Sequence, residues 1–410
     1  MSTQPERKCP VLDVAPPAPY AEVAELRAMG PAVRVELPGA VVAWSVTRAD
    51  VIRQLTGDPR VSRDPVQHWP GLADLPEGWP LAAITLQQNF FNAYGEEHWR
   101  GRRRVNPSFA PRRVERLRAQ VQATADRLVD GLAALPPGEP VDLRKALSSP
   151  LTLTVICDLI GVPEAERAPL GRGIDALLDT TLPNEQVVAA QRDVDRLLGE
   201  LTDHKTEHPG NDVATDLLAE VGRDGFTLEN VRNLLFLMIG AGFETSVNLI
   251  TSAVHSLLEQ PRYLELLELG RIGWDDVVEE TLRHNGPVMH APMRYAVADI
   301  DLGEGVLIRK GEPILIAFGA AGRDPAVHPD RPDAFDPGRP NKEHLAFGHG
   351  PHFCLGAPLA RLETSIALST LFARFPGLRP AGPGQTPERV TSCIVNGLAR
   401  LPVLLTPDPC

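Results

Sequence analysis

Basic residues and cysteines are scarce in this chain of 410 residues, and long apolar runs are missing. Lys and Arg together number 41 against 53 Asp and Glu, which leaves a formal charge of -12. With no extended basic tail, that balance argues against a nucleic-acid partner. The five cysteines (Cys9, Cys157, Cys354, Cys393 and Cys410) are scattered and odd in number, so a disulfide framework is not expected. The longest apolar run, Leu234 to Phe243, falls far short of the roughly 20 residues that span a bilayer. Met1 to Pro19 is polar and proline-containing and has no apolar core of signal-peptide length. The expectation is a cytoplasmic protein without a membrane anchor, its first 19 residues a flexible segment. No internal repeat or low-complexity segment is present.

What remains fits a large globular chain. Hydrophobic content of 43% and a mean hydropathy of -0.12 suit a protein able to bury a large core and a cofactor cavity. Forty prolines, well above the usual share, stiffen the connections. Val33 to Val46 alternates about Pro38-Gly39 and predicts a β-hairpin. Pro65 to Pro80 reads as a loop. Helices are predicted over Asn92–Arg104, Pro111–Leu135, Leu147–Ile160, Gln186–Thr206, Thr227–Leu258 and Trp274–Arg283. A small sheet is predicted over Tyr295–Phe318 and a second hairpin over Arg389–Leu405. The fold class is therefore mainly α with minor β.

The most informative stretch is Phe347-Gly348-His349-Gly350-Pro351-His352-Phe353-Cys354-Leu355-Gly356. It places one cysteine on a glycine-punctuated loop, directly before a helical pattern from Leu355 to Phe375. The free N–H groups and positive dipole end of a helix start stabilise a thiolate. Gly348, Gly350 and Gly356 allow a tight backbone path and close approach to a flat ligand. Such a thiolate suits a haem iron. Zinc held by Cys354 with His344, His349 and His352 is the alternative, although no common zinc spacing matches. A buried, inert cysteine is another, but it needs no run of glycines.

A second constellation lies in the middle of the longest predicted helix, at Gly240-Ala241-Gly242-Phe243-Glu244-Thr245. Each mid-helix glycine costs about 1 kcal/mol relative to alanine, so the pair has a reason, close helix packing being the ordinary one. Thr245 can turn its hydroxyl back to the carbonyl of Ala241 and loosen the helix there. A third, weaker pattern is Glu280-Thr281-Leu282-Arg283, which puts a carboxylate and a guanidinium on one helix face.

The cysteine segment resembles the haem-binding signature of the cytochrome P450 monooxygenases. The glycine–acid–alcohol stretch resembles that family's oxygen-activating motif, and Glu280 with Arg283 its Glu-x-x-Arg element. The resemblance covers most of Tyr94 to Glu363 and implies one helical domain over 1–410 with small sheets near the N-terminus and in the C-terminal half. It implies haem b with Cys354 as axial ligand, proton delivery by Glu244 and Thr245, and haem contacts from Ala241, Phe347, Gly348 and Gly356. It makes His98, Arg102, Arg294 and His352 the propionate partners, and Arg339 the third member of the ion network. Electrons would come from NAD(P)H through a ferredoxin reductase and a ferredoxin, which would dock on the arginine-rich stretch Arg100–Arg118.

The substrate pocket is expected along Gln67–Phe91, Thr180–Asn184, the helix face at Phe236, Gly240 and Ala241, Val288–Pro292, and Ile394-Val395. Gln67, Gln87, Asn89 and His290 would be its polar anchors. An apolar cavity with a few polar groups suits a compact hydrophobic natural product. Hydroxylation of a C–H bond is the first expectation. Oxidative coupling of aromatic or cyclic-dipeptide substrates is the alternative, and a haem sensor without turnover a distant one.

Overall fold

The computed structural model describes residues 9–13, 18–179, 181–382, 384 and 387–405. Its axis is the helix Leu228–Glu259, 32 residues long and thus about 48 Å. Thr227 starts it with a reciprocal cap, its hydroxyl accepting from Asn230 N–H while the Asn230 side chain accepts from Thr227 N–H. Val231, Leu235, Ile239, Phe243, Val247 and Ile250 are buried along it, and flanking helices cover it on several sides. Its length and apolarity would serve for a membrane span, but 67% of its most apolar window lies inside the protein, as befits a core helix.

Around this central helix pack Ser149–Ile160, Glu164–Leu178, Asn184–Glu207, Trp274–His284 and Ala357–Arg374. Glu164–Leu178 is a helix the sequence patterns above do not predict, and it contains Pro169, Gly171 and Gly173, residues of low helix propensity. Here the two glycines permit contact instead. A Cβ on Gly171 would come within 2.9 Å of Leu153, and one on Gly173 within 2.5 Å of Val194.

The predicted hairpin forms as β1 (Val33–Leu37) and β2 (Val41–Val46). With β3 (Val61–Ser62), β5 (Ala291–Ala296) and β8 (Pro313–Ile316) it builds a five-stranded sheet in the order β1-β2-β8-β5-β3. Short strands β6 (Ile300–Gly303) and β7 (Val306–Ile308) pair with each other. The predicted C-terminal hairpin is different. Arg389 bridges Leu398, while β10 (Pro402–Leu404) pairs with β4 (Pro140–Asp142) and β9 (Arg379–Pro380), strands the local pattern could not name.

Several boundaries also shift. The helix expected from Asn92 starts at Glu96, after a turn at Phe90–Asn92. The helix expected over Pro111–Leu135 breaks at Leu117, whose N–H turns back to Val114 O, giving Pro111–Arg116 and Arg118–Ala133. Pro65–Pro80 holds two short helical turns, Pro65–His68 and Pro70–Asp74. Part of the supposed flexible N-terminus is anchored: Leu12 is buried and donates its N–H to Glu36 O, and Pro19 opens a helix. Residues 1–8 and 14–17 of that segment lie outside the described residues.

Candidate active site

The cysteine loop is built by two left-handed turns. Gly348 and Gly350 have φ of 75° and 71°, torsions that favour glycine. A Cβ on Gly350 would also sit 2.5 Å from Thr56 O. Cys354 N–H donates to Phe347 O at 2.9 Å, closing the loop just before the helix Ala357–Arg374. Its thiol faces a cavity. Cys354 is open to that cavity, yet desolvation by the surrounding chain raises the thiol's pKa, an effect that the N–H groups of Gly356 and Ala357 with Arg102 and Arg361 oppose. The helix-start donors are present as expected, yet the protein alone favours the thiol. A coordinated cation would favour the thiolate.

The neighbouring histidines diverge. His344 pairs with Glu279 at 3.1 Å, His349 reaches Thr56 Oγ1 at 3.2 Å, and the ring of His352 lies 4.0 Å from that of His98. Among the described residues no three His, Cys, Asp or Glu side chains converge into a chelating group, so the zinc alternative finds no donor set.

Opposite the cysteine, the central helix carries the acid and the alcohol. Thr245 Oγ1 donates to Ala241 O at 2.6 Å, the back-bond the sequence predicts, and the helix continues unbroken. The two glycines have different jobs. Gly242 packs on Ile156, which a Cβ would approach to 2.9 Å, whereas Gly240 lines the cavity with its nearest neighbour, Ile174, at 3.9 Å. Glu244 is buried. Its Oε1 accepts from Arg144 Nη2 at 2.6 Å and Asn248 Nδ2 at 3.0 Å, and its Oε2 has no donor among the described residues. Arg144, one hundred residues upstream, belongs to no motif and was missed.

The cavity measures about 2070 Å³ including its open mouths. Its wall is chiefly apolar and includes Phe236, Gly240, Ala241, Val288, Phe347 and Ile394, with Gly348, Gly356 and Thr245. Basic side chains gather in this wall: Arg63, Arg102, Arg294 and the imidazole of His352. Arg294 is buried, and among the described residues its Nη1 and His352 Nδ1 find no hydrogen-bond partner. Burial brings Arg294 down to about 10, and burial together with Arg63, His98 and other nearby cations holds His352 neutral. Unpaired buried donors are costly, so this wall is incomplete without an anionic group. A haem, with its two propionates, fits that wall, the apolar cavity and the thiol facing it.

Not every expected residue reaches the wall. Arg102 does, but it also donates to Pro351 O at 2.9 Å and Phe353 O at 2.6 Å, clamping the cysteine loop. His98 lies behind it, its ring nitrogens 2.8 Å from Phe90 O and 3.1 Å from Pro351 O. Gln67 is placed elsewhere: exposed, it donates to Asp64 Oδ2 at the start of a helical turn. His290 is also turned away, with Nδ1 2.8 Å from Cys393 O. Residues 181–184 stay off the wall, and Thr180 lies outside the described residues. Arg63, fully buried and donating to Phe91 O and Pro292 O, was missed because no motif surrounds it.

A model of the family described as cytochrome P450 matches residues 274–391. Over 390 residues the chain is 39% identical to 2-hydroxy-5-methyl-1-naphthoate 7-hydroxylase of Streptomyces carzinostaticus, covering 94% of this chain and 95% of that one. The chain belongs to the cytochrome P450 family. A second P450 relative, the monooxygenase PikC of Streptomyces venezuelae, is 38% identical over 94% of this chain and 90% of its own. The solved P450 CYP154A1 of Streptomyces coelicolor A3(2) superposes with a TM-score of 0.93 at 46% identity, over 97% of this chain and 100% of that one. This chain thus has the P450 fold, is a haem-dependent monooxygenase, and shares the mainly helical architecture with small sheets that its motifs imply.

Beneath the P450 cavity the ion network is assembled as expected. Glu280 accepts from Arg283 Nε and Nη2, both at 2.7 Å, from Arg339 Nε at 3.1 Å and from Asp336 N–H at 2.6 Å. Arg283 also donates to the carbonyls of Gly322, Pro332 and Ala334. Glu280 and Arg283 are wholly buried, so this is no surface ion pair.

Proposed function

We propose that this P450 hydroxylates a C–H bond of a compact hydrophobic natural product. The observation that carries the reading is the pairing, across one apolar cavity, of the Cys354 thiol with the Thr245 hydroxyl and the Glu244 carboxylate. Cys354 would hold the haem iron through its sulfur; Arg102, Arg294 and His352, with His98 behind, would hold the propionates, joined by Arg63. Ala241, Phe347, Gly348 and Gly356 would contact the ring. Bound haem supplies reductive activation of dioxygen.

The chain's own part is binding, orientation and proton supply. The apolar wall binds the substrate and excludes water, with Gln87 and Asn89 as polar anchors. Thr245, held by its bond to Ala241 O, presents its hydroxyl oxygen toward the cavity as a fixed acceptor. Glu244, anchored by Arg144 and Asn248 through one oxygen, keeps the other for proton exchange. The relative named as a naphthoate hydroxylase supports a ring-bearing substrate.

Electrons would arrive from NAD(P)H through a ferredoxin reductase and a ferredoxin in the cytoplasm. The docking face would be the helix Glu96–Val105 and the turn after it. Arg112 and Arg116, on the next helix Pro111–Arg116, are exposed without an ion-pair partner among the described residues, and Trp99 and Phe353 are exposed apolar groups.

Replacing Cys354 with Ser tests the reading: the parent should give the far-shifted absorption of a thiolate-ligated CO adduct, and the variant should lose it with turnover. An unchanged spectrum and turnover would overturn the assignment. Turnover products should gain the mass of one oxygen; doubled mass would establish oxidative coupling instead.

A further inference from the structure

Arg63 is 2% exposed, one of the largest fully enclosed side chains, and it stands in the cavity wall. Its Nε donates to Phe91 O at 2.7 Å and its Nη2 to Pro292 O at 2.8 Å. The guanidinium lies over the Phe91 ring, 3.6 Å from its centre, and the His352 ring meets that ring at 6.3 Å and 89°. Arg63 is thereby fixed on the side of the cysteine loop. These partners are all neutral. Carbonyls and an aromatic face satisfy the donors of a guanidinium without cancelling its charge. The adjacent carboxylate, Asp64, is turned to Gln67, accepting from its N–H at 2.9 Å and its Nε2 at 2.7 Å. Burial lowers the proton affinity of Arg63, yet a guanidinium stays protonated in proteins.

Arg63, Arg102 and Arg294 line one cavity, and among the described residues none of them pairs with a carboxylate. The wall holds two carboxylic side chains of its own. Glu244 is paired with Arg144, and burial pushes Glu363 up to about 8, which leaves it chiefly neutral. In an oxidised haem held by a thiolate, the charges of iron, porphyrin and sulfur sum to zero. The two propionates are then the only anions that three permanent cations meet. We propose that Arg63 raises the charge of this wall above that of the propionates and so favours the reduced haem, an inference that rests on the haem placement above. Each electron taken from a one-electron donor of the iron–sulfur class oxidises the donor and adds one negative charge to the haem. A fixed cation kept from water stabilises that added charge with little screening, and burial is one of the levers a protein has on haem potential. The excess belongs to the three arginines together; Arg63 is the most deeply buried and the one outside any motif.

The test is a spectroelectrochemical titration of the haem-loaded parent, Arg63→Gln, Arg63→Met and Arg63→Lys. At a fixed applied potential, the ratio of reduced to oxidised haem should fall roughly tenfold in the two neutral variants, which is about 59 mV toward lower potential for one electron. Arg63→Lys keeps the charge but loses the planar fork that spans two carbonyls, and it should stay near the parental potential. A role in packing alone would move all three variants alike. Parental potential in Arg63→Gln and Arg63→Met, or an equal fall in Arg63→Lys, would overturn the proposal. Loss of haem from both neutral variants would overturn it too, by showing that this charge only neutralises a propionate. Each of these results leaves the haem placement standing while the parent shows the thiolate-ligated CO band that Cys354→Ser loses; a parent without that band would remove the placement itself.

Discussion

Replacing Glu280 with Ala should produce protein that is strongly destabilised and largely free of haem. In the parent, one carboxylate accepts three bonds from two guanidiniums and one from a backbone N–H. Side-chain exposure is 0% for Glu280 and Arg283 and 9% for Arg339, so water cannot replace the lost anion. Breaking a buried pair from one side costs about 3–5 kcal/mol, chiefly through the charges left uncompensated. Against a total stability of about 5–15 kcal/mol, that is a large fraction. At roughly 1.4 kcal/mol per tenfold, the unfolded fraction rises by two to three and a half powers of ten. Glu280→Gln separates charge from space: it preserves the volume but turns an amide toward the guanidiniums, so it should lose nearly as much. The assays are the urea midpoint and the ratio of haem to protein absorbance. Glu200→Ala, which breaks the exposed Arg196–Glu200 pair, should leave both unmoved. Parental haem content and midpoint in Glu280→Ala, or in Glu280→Gln, would refute the argument.

Two further outcomes follow from the site. Thr245→Ala should retain haem and its spectrum but divert electrons from product into hydrogen peroxide, because the hydroxyl now held by Ala241 O would be gone; measured product per NAD(P)H should fall severalfold, and unchanged coupling would remove Thr245 from the mechanism. Charge reversal at Arg112, or at Arg103 (paired with Glu96 across 2.5 Å), should slow reduction by a ferredoxin, and reduction of the parent should weaken with salt; salt-insensitive reduction would exclude the arginine-rich face as the docking site.

Much of the site was legible because its signals are local in the chain. The turns at Gly348 and Gly350, the back-bond of Thr245 and the ion pair at Glu280 and Arg283 each involve residues a few positions apart. Torsional preference and helix period determine such features before any tertiary contact forms. The helix Glu164–Leu178 escaped notice for the converse reason. Its glycines weaken the helix locally and are justified only by Leu153 and Val194 pressing against them.

The amino-acid order by itself determined the cysteine loop, the glycine–acid–alcohol turn and the helices that present them. Only the folded chain decided their partners: Arg144 beside Glu244, Arg63 with Arg294 on one cavity wall, and the directions in which Gln67 and His290 turn. Neighbours in sequence are joined by short covalent paths, whereas groups a hundred residues apart meet only where packing closes the cavity around them, and burial acquires a magnitude only there.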